Sequence, residues 1–193
     1  MDLNLVKKLR EKTGAGVLSC QKALEEANGD LEKAEEILRK KGEKIASSKI
    51  NRETRAGIIG VYLHSNEKIA AVVELLCETD FVAKNKEFKD LAHDLAMQIA
   101  ATNPLYLKPE DVPTEILEKE KEIYYQEIKD EKKPPQVIEK IVQGKLEKFY
   151  QTNCLMKQPF IKDEKITVEE LIKSKIAKLG ENIQIKGFKR FEI

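Results

Sequence analysis

No apolar run in this chain approaches the roughly 18 residues of a membrane span. The N-terminus, Met1-Asp2-Leu3-Asn4, lacks the charged-then-apolar pattern of a secretory signal. A cytoplasmic location is the expectation. Cysteine is scarce. Cys20, Cys77 and Cys154 are odd in number and far apart, with neither a zinc spacing nor a Cys-x-x-Cys pair. They read as reduced thiols, mostly buried. Histidine is scarcer, with only His64 and His93. There is no Gly-x-x-x-x-Gly-Lys-Ser/Thr loop and no Gly-x-Gly-x-x-Gly; Gly144-Lys145 runs into Leu146 without the upstream glycine. No residue set joins a nucleophile to a base. Charge of one sign is also missing: 35 basic and 34 acidic residues leave a net charge of +1. Neither nucleic acid nor a membrane is indicated as a partner. No metal, cofactor or catalytic residue suggests itself, and the balance favours a protein-binding factor over an enzyme.

What is present is a chain of 193 residues, 41% hydrophobic and 36% charged, enough for one domain or two small ones. Residues 1–42 read as a three-helix module. Asp2 is placed to cap the first helix, with Leu5, Val6 and Leu9 as its apolar stripe. Thr13-Gly14-Ala15-Gly16 breaks it. The second helix sets Val17, Cys20 and Leu24 on one side and closes at Asn28-Gly29. Asp30 suits an N-cap for the third, where Leu31, Ala34, Ile37 and Leu38 repeat at helical spacing up to a stop at Gly42. About 40 residues is marginal for independent folding, so this bundle needs idealised packing or outside support. Residues 43–55 read as a helical or extended tether.

Residues 56–193 read as an α+β core. Gly57–His64 and Ile69–Leu76 form a hairpin around Ser65-Asn66-Glu67-Lys68. The second strand is nearly all apolar and is expected to be central and buried on both faces, with Glu74 near an edge or paired to a base. A helix from about Asn85 to Ala101 carries Phe88, Leu91, Leu95 and Ile99. Two charged helices, about Thr114–Glu131 and the one after Pro134-Pro135, suggest an αα-hairpin. Leu155–Lys165 looks irregular. Thr167 and Glu170 open a last helix as a capping box. In the tail, Ile183, Ile185, Phe191 and Ile193 share one face, as a third strand of a small antiparallel sheet.

The junction Glu78-Thr79-Asp80-Phe81-Val82-Ala83 lies where the second strand meets a helix. Thr79 or Asp80 is able to accept the first helical N–H groups. Phe81 has two readings. On a helix continuous with Phe88, seven residues on, both rings face the core. If Lys84-Asn85-Lys86 interrupts the helix, Phe81 projects, and an exposed Phe beside an acid is a typical anchor for a protein partner.

Thr79-Asp80-Phe81-Val82-Ala83 resembles a signature of the bacterial translation elongation factor Ts family. So do the run from Leu9-Arg10 to Ala23-Leu24, the following Asn28-Gly29-Asp30, the block Lys157-Gln158-Pro159-Phe160, and the tail Gly187-Phe188-Lys189-Arg190-Phe191. The resemblance covers nearly the whole chain in order. It implies a guanine-nucleotide exchange factor for elongation factor Tu, with a ubiquitin-associated-like N-terminal module. Asp80 and Phe81 would enter the partner's nucleotide domain and disturb its magnesium and phosphate contacts, with Thr79 and Val82 beside them. Lys49 matches a tether lysine at that interface, and Val17, Leu18 and Lys22 match positions on the module's docking surface. Ser19 and Gln21 depart from the family's usual Asp and Lys. The chain resembles the short type, with one hairpin core unit where longer members have two, and this type works as a homodimer. Cys154 and Leu155–Ile161 are the expected part of that contact. Competing readings are an adaptor that only scaffolds, an RNA binder using the tether's bases, and a cryptic enzyme.

Overall fold

The computed structural model describes residues 3–128 and 134–193. The proposed capping residue Asp2, and the end of the fifth expected helix at Glu131, lie outside them. The architecture is α+β: eight α-helices among the described residues and a small three-stranded antiparallel sheet. By packing, the chain forms two units. The first comprises the residues up to Ile58, Leu75–Lys89 and Glu170–Gln184. The second comprises Ile59–Glu74, Asp90–Glu169 and Ile185–Ile193.

In the first unit, α1 (Leu3–Thr13), α2 (Val17–Glu26) and α3 (Leu31–Lys49) surround Val6, Leu9, Cys20, Ala23, Leu24, Ala27 and Ala34. α1 ends where Gly14 turns to φ +66°, a backbone state that costs a side-chained residue about 1 kcal/mol or more. The Gly14 N–H still donates to the Arg10 carbonyl at 2.8 Å. Asp30 caps α3 as expected, its Oδ1 accepting from Glu32 N at 3.0 Å and Lys33 N at 3.2 Å. α3 does not stop at Gly42; it runs seven residues farther, to Lys49, so the first half of the tether is helical. Gly42 lies within the helix, facing α8 (Val168–Leu179). A Cβ added to it would lie 3.5 Å from the Ala177 methyl on α8, so the two helices pass closely. The small bundle thus gains the outside support its length requires. Ala46, in the extension, is buried.

The sheet order is β1 (Ala56–Leu63), β2 (Ile69–Cys77), β5 (Ile183–Glu192). β2 is central, as read, but it is not buried on both faces. Ala71, Val73, Leu75 and Cys77 are fully buried, while Val72, Glu74 and Leu76 are half-exposed. Glu74 has a basic partner, Lys186, at 2.8 Å on the neighbouring strand. The tail departs from its expected alternation: Ile183 and Ile185 are buried, Phe191 and Ile193 exposed.

In the second unit, α5 (Lys86–Thr102) buries Leu91, Leu95 and Ile99 as its spacing predicts. Each side chain contributes on the order of 1.5–3 kcal/mol. β1 crosses it at Gly60, where an added Cβ would sit 2.5 Å from the Ala92 carbonyl oxygen. α6 (Thr114–Ile128) and α7 (Pro135–Asn153) close over Ile128, Val142 and Leu146, with Tyr124 and Tyr150 packed beside them. The segment expected to be irregular, Leu155–Lys165, is ordered. A 3-10 turn, Leu155–Lys157, leads to β3 (Pro159–Phe160), which pairs antiparallel with β4 (Asp163–Thr167). Buried Gln98 holds this segment, donating to Gln158 Oε1 at 3.1 Å and accepting from Ile161 N at 2.8 Å.

Candidate protein-binding site

The junction after β2 is built from backbone chemistry. Residues Asp80–Lys84 form a separate five-residue helix, α4. Thr79 caps it, its Oγ1 accepting from Val82 N at 3.4 Å. Asp80 is the first helical residue and not the cap, which settles the choice the sequence left open. Asn85 is extended, with ψ 137°, and ends α4. Its side chain then starts α5, Oδ1 accepting from Glu87 N at 2.8 Å. This break decides the orientation of the two rings. Phe88 is fully buried, and Phe81 is 82% exposed.

Val82 and Ala83, on the opposite side of α4, are buried. Val82 was expected at the partner surface; at 4% exposure it anchors the turn from below. The tip therefore shows solvent an acid, a ring and a base: Asp80, Phe81 and Lys84. An exposed ring this close to a buried anchor gains nothing from this chain's own core. Covering it with a partner would contribute on the order of 1.5–3 kcal/mol.

Behind the tip lies a polar clamp that sequence reasoning missed. The Glu181 carboxylate accepts from three donors: Glu78 N at 3.1 Å, Thr79 N at 3.0 Å and Thr79 Oγ1 at 2.6 Å. The exchange is mutual, since Asn182 N donates to Glu78 Oε1 at 2.7 Å. Asn182 Nδ2 also donates to the carbonyls of Arg52 at 2.8 Å and Ile50 at 3.2 Å. Lys49, expected at the partner surface, is half-buried and donates its ammonium to the Gly180 carbonyl. The last turn of α3, the segment after it, and the α8–β5 turn are thus fastened to the junction. Burial raises the Cys77 thiol above its ordinary range, helped by the nearby Glu181 and Asp80 charges. It is no nucleophile.

A second exposed surface lies on α2. Leu18 is 73% exposed and Lys22, one turn on, is exposed beside it. Val17, grouped by spacing with the buried Cys20 and Leu24, is 42% exposed. It sits in the first turn of α2, and the buried stripe begins at Cys20. Leu3, on α1, is also exposed and was not singled out. Among the described residues no group of three or more His, Cys, Asp or Glu is placed to hold a metal ion.

The whole chain has clear relatives. The family model described as Elongation factor TS matches residues 4–193. Proteins named elongation factor Ts are similar over most of their length. That of Thermotoga sp. (strain RQ2) is 56% identical over 193 residues, covering 100% of this chain and 96% of the relative. That of Thermodesulfovibrio yellowstonii is 57% identical over 189 residues, covering 98% and 94%. That of Carboxydothermus hydrogenoformans is 54% identical over 189 residues, covering 98% and 87%.

Proposed function

Because the chain belongs to the elongation factor Ts family, we propose that it binds elongation factor Tu and promotes release of GDP during translation elongation, with no chemistry of its own. The observation that carries the mechanism is Phe81, 82% exposed on a helix of five residues whose other side is buried. A ring held this way occupies space in a partner without resembling a phosphate. Entering the nucleotide domain of Tu, Asp80 and Phe81 would displace groups that hold magnesium and phosphate. Val17, Leu18 and Lys22 on the module form the second contact. The module 1–42, the tether 43–55 and the core 56–193 act in that reading as docking, linking and wedge-bearing parts. Thr79 and Lys49 join the contact with Tu at its edge, while the buried Val82 holds the tip from behind.

Exchange then follows from linkage. A factor that weakens GDP binding tenfold has its own binding weakened tenfold by GDP, and each tenfold corresponds to about 1.4 kcal/mol. The expected place of action is the cytoplasm, with neither nucleic acid nor a cofactor needed.

The test is the rate at which labelled GDP leaves elongation factor Tu. The wild-type chain accelerates it. Phe81→Ala lowers that acceleration by about tenfold or more, while its thermal melting stays near wild type because the ring packs on nothing. No acceleration by the wild-type chain would refute the exchange reading, and binding without acceleration would leave the scaffold reading in its place.

The family's short type suggests a homodimer, and an exposed apolar row on β1 supports it: Ile59, Val61 and Leu63. Cys154 and Leu155 do not serve as the contact, since both are fully buried.

A further inference from the structure

We propose that Glu181 is a positioning residue for nucleotide exchange: its carboxylate sets the hydroxyl of Thr79, and through it the direction in which α4 presents Phe81. The inference rests on the exchange reading above.

A five-residue helix has too few internal hydrogen bonds to hold itself. Its direction is fixed by its cap and its buried side. The cap is Thr79 Oγ1, and a hydroxyl has one proton and two lone pairs. At 2.6 Å the Thr79 proton points at Glu181 Oε1, which turns the lone pairs toward Val82 N. Without Glu181 the hydroxyl is free to rotate and spend its oxygen on water. Glu181 Oε2 meanwhile takes both backbone donors that precede the helix, Glu78 N and Thr79 N. Carboxylate acceptors make such bonds stronger than neutral ones. Glu181 is half-buried and bonded to the exposed Thr79 just before the tip, so a dependence of its effect on Phe81 separates positioning of the ring from direct contact with a partner.

The same turn reaches the end of α3. Gly180, just before Glu181, takes the Lys49 ammonium on its carbonyl, and Asn182, just after, holds the carbonyls of Ile50 and Arg52. A single turn, residues 180–182, thus fixes the tip and the chain leaving the docking module.

The experiment is a double-mutant cycle on labelled-GDP release from elongation factor Tu, using the full chain. Glu181→Ala is expected to lower the maximal rate at saturating chain by about tenfold, with the half-saturating concentration changed less than about twofold. On the Phe81→Ala background the same change is expected to do little, because the group it orients is gone. Glu181→Gln keeps one acceptor oxygen and recovers part of the rate. Amide hydrogen exchange at Thr79 and Val82 speeds up in Glu181→Ala and less so in Glu181→Gln. Equal fold-losses with and without Phe81 would overturn the positioning role and leave the exchange reading standing. So would an unchanged maximal rate in Glu181→Ala. Should Glu181→Ala not fold, the cycle is run with Glu181→Gln, and additivity there overturns the proposal equally. A wild-type chain without effect on GDP release overturns both readings.

Discussion

Phe81 and Phe88 differ by seven positions and by everything else. Period alone puts both on one helical face, and one extended residue between them, Asn85, sends them opposite ways. Single residues settle the cysteines too. Cys20, Cys77 and Cys154 are all free and buried. Burial, with the charges of Asp111 and Glu110 behind it, pushes the Cys154 thiol up to about 11. Such a thiol is almost wholly protonated at neutral pH and a poor nucleophile. With an aromatic disulfide reagent, the native chain should give essentially no fast reaction, and all three thiols should react after denaturation in guanidinium. A fast thiol in the native state would contradict the burial described. The scarcity and spacing of cysteine made the reduced state readable in advance. That Cys154 is inaccessible was not readable, because Leu155–Ile161 has no periodicity and its order comes from Gln98, on a different helix.

Among the elements, those with strong local chemistry were legible from the sequence: the Asp30 cap, the hairpin after Gly57, and α5 with its regular stripe. The elements that depend on distant chain were not. α3 continues past Gly42 to Lys49, with Ala177 of α8 lying beside residue 42, and nothing near residue 42 announces that. The clamp on the junction joins residues 102 apart. The start of α5 is tied in the same long-range way. Glu87, in its first turn, accepts from Lys178 at 2.7 Å and lies 3.6 Å from Lys175, both on α8. The Lys178 hydrogen bond, followed by the two ammonium charges, holds its carboxyl below the usual 4.5. A lowered folded-state value means the pair stabilises the fold above about pH 4.5. That contribution is lost as pH falls through the depressed value. Partial exposure limits it to about 1 kcal/mol or less. Glu87→Gln should therefore melt below wild type at pH 7, and the two melting curves should converge as the solution is acidified below pH 4. A gap that persists unchanged at pH 3 would exclude the ion pair as its cause.

At the scale of the molecule, Ile59, Val61 and Leu63 on the edge strand β1 form a row of same-face apolar side chains left in water. Monomeric proteins rarely leave such a row uncovered. On the homodimer proposed above, the wild-type chain should sediment as a dimer at micromolar concentration, and Val61→Glu should shift it to monomer without loss of helical signal. A wild-type chain that sediments as a monomer would remove the dimer from the functional picture. One more consequence belongs to the chain as a whole, which contains no tryptophan. An indole placed at the ring of the tip, Phe81→Trp, would be the molecule's sole tryptophan, excited at 295 nm apart from its five tyrosines. It would start in water and, if the ring enters the partner, move into a dry cleft. Excited at 295 nm beside a partner whose own tryptophans are replaced by phenylalanine, its emission should shift to the blue on docking and return when GDP is added in excess. The naked ring at residue 81 is thus an optical reporter site, with no native tryptophan in the chain to compete at 295 nm.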